Sequence, residues 1–202
     1  MKKVFQAAVV FLCMAGIAKA EDSAQSDMTR FVVELGPQVD AMDATLMPGY
    51  GVREVESFVA DTKSWAVLEA ESEDALASYL SALGIQPGSI MPVDFVNSPT
   101  VGGGVEAGES PRDGHKVFVI ERPIPGVGSF PLERKQMISR RSNASIEQLG
   151  DKIEWQHSYL TSEGTYCVYR AVDEDAIREH AKLAEAPIAT VTAVEQLTPG
   201  SR

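Results

Sequence analysis

Two stretches of the chain read as copies of each other: SFVADTKSWAVLEAESEDALASYL at residues 57–80 and SYLTSEGTYCVYRAVDEDAIREHA at residues 158–181. The offset is a constant 101, with no gap. Ser57 falls on Ser158, Phe58 on Tyr159, Trp65 on Tyr166, Val67 on Val168 and Ala70 on Ala171, and EDAL falls on EDAI. Upstream, RFVVELG (30–36) matches VFVIERP (117–123), with Glu34 over Glu121. Downstream, Pro87 and Pro187 precede SIMPVDFV and IATVTAVEQL. An internal repeat constrains the fold more than any single element does.

Each copy has the same layout: a β-branched strand, a helical segment, a hairpin, an amphipathic helix and a last strand. In the second copy the hairpin joins IEWQHSYLT to TYCVYRA around Glu163-Gly164. The order β-α-β-β-α-β is the split layout of a ferredoxin-like domain. The copies differ at the first helix. SFPLERKQMISRRSNASIEQLGDKI (129–153) holds a full helix, with Ser129 as N-cap, Pro131 in the first turn and Gly150 as the stop. PQVDAMDATLMPGYG (37–51) has room for two turns at most, broken by Pro48 and Gly49. Between the copies, NSPTVGGGVEAGESPRDG (97–114) has no periodicity and reads as a linker. Its glycine triplet lacks the strand-to-helix setting of a phosphate loop.

The fold class is therefore α+β: two tandem ferredoxin-like modules packed as a pseudo-dimer, the first with a shortened first helix. The expected boundaries are a signal peptide at 1–20, a degenerate module at 28–97, a flexible linker at 98–115 and a second module at 116–199. The packing expectation is physical. A ferredoxin-like sheet has helices on one face only, and the bare face needs cover. One copy supplies it for the other.

Lys2 and Lys3, the apolar run VFQAAVVFLCMAGI (4–17) and AKA (18–20) form an export-signal pattern, so the expected location is periplasmic or secreted. Removing three lysines and no acid takes the formal charge from −11 to −14. That charge disfavours nucleic acid and anionic lipid as partners. Cys13 would leave with the signal. Cys167 then has no internal partner, and reads as a small buried apolar side chain.

Four motifs of the second copy stand in order: Val119-Ile120-Glu121-Arg122, Trp155-Gln156-His157-Ser158-Tyr159, Tyr166-Cys167-Val168-Tyr169, and Arg178-Glu179-His180-Ala181 followed by Pro187. With them, residues 116–198 resemble the small ferredoxin-like family known as domain-of-unknown-function 4242, whose best-described members bind nickel and form dimers. The first copy lacks the motifs: Glu56, Ala66 and Tyr79 stand where His157, Cys167 and His180 stand. The expected role is binding of a transition metal or another small ligand in the second module; the resemblance favours nickel as cofactor, held by His157, His180 and a carboxylate of Glu121 or Glu179. It implies a monomer with an internal pseudo-dimer, or a homodimer.

The residues themselves leave other readings open. His180 lies in the middle of the apolar stripe of its helix, where an imidazole can be a satisfied core group. His157 shares a strand face with Trp155 and Tyr159. A two-residue hairpin loop puts Cys167 on the face opposite His157, and a three-residue loop would reverse this. Small ferredoxin-like domains also resemble cofactor-free monooxygenases and lactone isomerases. In that reading His157 is the base and Glu121 or Tyr159 assists. A third reading is an interaction module with structural histidines. His115, beside the linker, reads as solvated.

Overall fold

The computed structural model describes residues 28–36, 42–197 and 199. The expected signal segment lies outside the described residues. The first half contains β1 (Thr29–Leu35), β2 (Val52–Val59), β3 (Ser64–Ala70), α1 (Glu73–Ala82), β4 (Ser89–Pro92) and β5 (Phe95–Asn97). The second contains β6 (Lys116–Arg122), α2 (Leu132–Leu149), β7 (Ile153–Leu160), β8 (Thr165–Ala171), α3 (Glu174–Leu183) and β9 (Thr190–Leu197). This is an α+β fold, and its second half follows the β-α-β-β-α-β order. Where the first half would carry its first helix, a 3-10 turn at Met47–Tyr50 remains, containing Pro48 and Gly49.

The strand order is β4-β1-β3-β2-β9-β6-β8-β7-β5, with every pairing antiparallel. Its two ends are neighbours in sequence, because only Val93 and Asp94 separate β4 from β5. The Val93 amide donates to the Arg30 carbonyl at 2.8 Å, and the Asp94 amide donates to the Leu160 carbonyl at 2.9 Å. One residue therefore bonds β1 and the next bonds β7, so the strand order returns on itself. A sheet that closes in this way leaves few unpaired edges.

Local chemistry sets the elements. α1 and α3 begin at equivalent caps. Ser72 accepts from the Ala75 amide at 3.1 Å, and Asp173 accepts from the Ala176 amide at 2.8 Å. Acidic pairs in each first turn, Glu73-Asp74 and Glu174-Asp175, favour the positive helix end. α2 starts later than its sequence suggests. Pro131 occupies the cap position, and Ser129 closes a 3-10 turn instead. The β7–β8 loop is four residues long, with Leu160 opposite Thr165. Gly164 is required there, since a Cβ would sit 2.2 Å from the Arg122 carbonyl oxygen.

Alternation along the strands divides the interior into three. Phe31, Val33 and Leu35 pack with Leu76, Tyr79 and Leu80 of α1. Phe118 and Ile120 pack with Tyr169, Ala176 and Ile177 on the helix side of the second half. The opposite faces meet in a third cluster of Val32, Phe58, Trp65 and Val67 with Val117, Val119, Tyr159 and Val168. Cys167 lies in the second of these clusters, so it does face away from His157.

The stretch 98–115 was expected to be free along its whole length, and its start is not. Pro99–Gly102 form a 3-10 turn against α2. A Cβ on Gly102 would lie 2.6 Å from the Arg140 backbone nitrogen. Composition read as flexibility is here close packing that only glycine permits. We expect Gly102→Ala to cost about 1–3 kcal/mol by overpacking. Urea unfolding should show a lower midpoint at unchanged slope, and an unchanged midpoint would mean that the turn does not hold α2.

Candidate functional site

β2 and β7 each carry a bulge at equivalent places, between Glu54 and Glu56 and between Trp155 and His157. A bulge adds a residue and turns the following side chains to the other face. Trp155 therefore points into the helix-side core, and His157 does not. His157 stands opposite Val168, on the face turned toward the other half, as Glu56 stands opposite Val67. The regular-strand expectation that placed Trp155 beside His157 is corrected by this single extra residue.

The two equivalent residues meet. His157 Nε2 lies 2.6 Å from Glu56 Oε1. Tyr159 donates its hydroxyl to the same oxygen, and Gln196 donates to Glu56 Oε2 at 2.8 Å. The His157 and Tyr159 rings meet edge to face, with centroids 5.0 Å apart. Burial alone would raise the Glu56 pKa. The hydrogen bond and charge of His157 and the bonds from Tyr159 and Gln196 outweigh it, so the carboxyl lies below its ordinary value. Burial and the Glu56 charge push Tyr159 up, so it remains a phenol and a donor. His157 and Glu56 form part of the wall of a cleft of about 1220 Å³. The same wall holds Asp61, Glu109 and Glu195, with Lys116 and Arg170 on the basic side.

The other expected site residues lie elsewhere. His180 packs on Tyr169, with ring centroids 5.0 Å apart, in the helix-side core. Val168 and Tyr169 are consecutive strand residues, so the groups they touch lie on opposite faces of the sheet. His157 and His180 therefore share no site. Glu121 binds Lys63 at 3.0 Å and accepts from Thr190, while Glu34, its counterpart in the repeat, binds the same lysine at 2.9 Å. Glu179 is exposed on α3. Among the described residues no three His, Cys, Asp or Glu side chains are grouped so as to hold a metal ion. The nickel expectation is corrected on that ground: the sheet itself separates the two imidazoles.

His180 instead borders a half-open cavity of about 160 Å³ between the second half's sheet and its two helices. Its Nε2 lies 3.1 Å from the Ser142 hydroxyl, and that hydroxyl lies 3.1 Å from the Tyr169 hydroxyl. Its Nδ1 has no hydrogen-bond partner. Arg122 enters the same wall from the end of β6. It donates from Nη1 to the Pro187 carbonyl at 2.8 Å, and Nη2 has no partner. Burial, reinforced by the Arg122 charge and opposed by Ser142, lowers the His180 pKa to about 4. The ring is neutral at pH 7. His115 is half-buried rather than solvated, with Nε2 2.9 Å from the Asp151 carbonyl.

Two residues of these polar groups were missed in the sequence, and both had left a signal. Glu56 occupies the repeat position of His157, and the two residues meet. Arg122 continues the alternation Phe118, Ile120, Arg122 on the helix-facing side of β6, where the first half has Leu35. A charged residue in that register had to be buried.

A family model described as "Nickel responsive protein SCO4226-like" matches residues 118–194. The match lies in the second half and supports the family resemblance in part, without extending to the range expected for domain-of-unknown-function 4242. No curated protein matches the sequence. Among solved structures, a chlorite dismutase variant from Candidatus Nitrospira defluvii is similar at 10% identity, covering 87% of this chain and 93% of that one, with a TM-score of 0.49. A chlorite dismutase from the same organism in complex with imidazole is similar at 10% identity and the same coverage, with a TM-score of 0.47. A putative monooxygenase from Lactobacillus acidophilus NCFM is similar at 6% identity, covering 86% and 97%, with a TM-score of 0.40. Similarity at this level assigns no chemistry to the chain.

The buried neutral His180 gives stability a sign with pH. Between its ordinary pKa of 6.5 and its folded value of about 4, the unfolded chain binds a proton that the folded chain does not. Its contribution is therefore complete above 6.5 and lost as pH falls toward 4, a change of about 3 kcal/mol. Denaturant unfolding across that window should show the decline, and His180→Phe should flatten it. An equal slope in the variant would assign the decline to other groups.

Proposed function

We propose that the chain consists of two tandem ferredoxin-like modules packed as an internal pseudo-dimer. We propose further that it acts on a small molecule by proton transfer, with His157 as the base. The modular reading is supported by the ungapped repeat, the matched bulges and caps, and the reciprocal pairing of β9 with β2 and β5 with β7. The mature chain is proposed to work outside the cytoplasm, on the strength of its basic-then-apolar start.

One observation carries the catalytic reading: the imidazole of His157 is held at 2.6 Å by a buried carboxylate in the wall of a cleft. A carboxylate that accepts from Nε2–H fixes the tautomer and leaves the Nδ1 lone pair as the basic site. When Nδ1 takes a proton, Glu56 stabilises the imidazolium, and Tyr159 and Gln196 keep Glu56 in place. The orienting residue is Glu56, in place of the Glu121 of the sequence reading, which is committed to Lys63. Tyr159 keeps an auxiliary part through Glu56. The cleft wall carries Glu56, Asp61, Glu109 and Glu195 against Lys116 and Arg170, which favours neutral substrates with an activated C–H over anions.

Deuterium exchange tests this. Full-length protein in D2O, with small lactones and 1,3-dicarbonyl compounds, should catalyse wash-in at the activated carbon, followed by proton NMR. A positioned base contributes about 10²–10⁴-fold, so His157→Ala should lose an effect of that order and Glu56→Gln a smaller one. Exchange that is unchanged in His157→Ala would reduce the pair to a cross-brace between the halves.

A further inference from the structure

We infer that the half-open cavity of the second half, between its sheet and helices, is a binding site for a small monocarboxylate with a compact apolar body, held by the guanidinium of Arg122. The inference is independent of the proton-transfer reading, since the cavity lies on the other face of the sheet from His157.

Arg122 is only 5% exposed, and among the described residues it forms no ion pair with an acid. Its Nη1 is satisfied by the Pro187 carbonyl, and its Nη2 makes no well-formed hydrogen bond, the Tyr169 phenol being the neutral group that interacts with the guanidinium. Arginine does not lose its proton in proteins. A buried guanidinium without a counter-anion is costly, and a buried charge whose solvation is lost is normally paired. The same wall holds a second unpartnered polar atom, Nδ1 of His180, on a ring that is 1% exposed. The neutral ring can donate from Nδ1 while Nε2 accepts from Ser142. One guanidinium N–H and one imidazole N–H then match the two oxygens of a carboxylate, in charge-assisted hydrogen bonds of the strong kind.

The size and lining set the rest of the ligand. A cavity of about 150 Å³ with apolar walls holds a molecule of the size of benzene, and this one measures about 160 Å³. Ile124, Val127, Ile138, Trp155 and Leu160 supply apolar wall. Glu185, the acid at its rim, is already paired with Arg141. The first half has no counterpart. Leu35 stands for Arg122, Leu68 for Tyr169 and Tyr79 for His180, and all three are packed in its apolar core. The polar set is therefore peculiar to the second half, and it does not follow from the fold.

The test is calorimetric titration of the full chain at pH 7 with benzoate and isobutyrate, and with benzamide as the uncharged control. Saturable one-to-one binding of at least one acid is expected at a Kd of about 1 mM or tighter, with benzamide at least tenfold weaker. The His180 ring resonances should shift with the same midpoint, which locates the ligand. Arg122→Met should weaken binding by about 100-fold, the loss expected for a charged hydrogen-bonding partner. Ile138→Trp, which fills the cavity and leaves Arg122 in place, should abolish binding and covers the case in which Arg122→Met fails to fold. His157→Ala should bind as wild type does, separating failure here from failure of the proton-transfer reading. The inference is overturned if neither acid saturates, in which case the cavity holds water only. It is also overturned if benzamide binds equally well, or if binding survives Arg122→Met or Ile138→Trp.

Discussion

β9 hydrogen-bonds two strands that belong to different halves of the chain, β6 beside it and β2 across the junction. The strand leaving the first half does the same in return, bonding β1 through β4 and β7 through β5. Each half thus lends its last strand to the other. Much of the rest depends on that exchange. It carries the strand order round to its beginning, and it turns the helix-free faces toward each other. It also brings residues 101 positions apart into contact. The driving term is burial of those faces, where Phe58, Trp65 and Tyr159 sit at 3% exposure or less.

Two polar groups are buried by this arrangement in unlike ways. Between the halves, Glu56 and His157 satisfy each other, and Tyr159 and Gln196 complete the set. A buried polar network of this kind is stable because its members have partners. On the helix side of the second half, Arg122 and His180 each retain an unpartnered nitrogen beside a void. The first pattern can be explained from within the protein. The second is the pattern from which the monocarboxylate site is inferred.

The fold was largely legible because repeats and alternation are local facts. The offset of 101 identified two units, and the capping residues Ser72 and Asp173 marked equivalent helix starts. The α+β class and the β-α-β-β-α-β order of the second half were read from the same local signals. The site was legible only in fragments. His157 was singled out in the sequence, but the residue it meets, Glu56, was read as a lost ligand. Glu56 replaces histidine at the matching position, and in a two-fold arrangement such a replacement can be the other half of a pair. The bulges were invisible, because one inserted residue leaves no mark in composition yet reverses which neighbours share a face. The nickel set failed for a related reason. His157 and His180 lie 23 residues apart in sequence, and that spacing says nothing about which side of a sheet each occupies.

By itself the sequence determined the elements, their order, their repetition and the register of most apolar positions. Those follow from propensity and from periods of two and 3.6, which act over a few residues. The tertiary structure alone decided that Glu56 meets His157, that Gly102 lies too close to α2 for any side chain, and that Arg122 is buried without an acid. Each of these depends on distances between segments remote in the chain. Those distances are set by the joint packing of all the strands, and no stretch of sequence carries them separately.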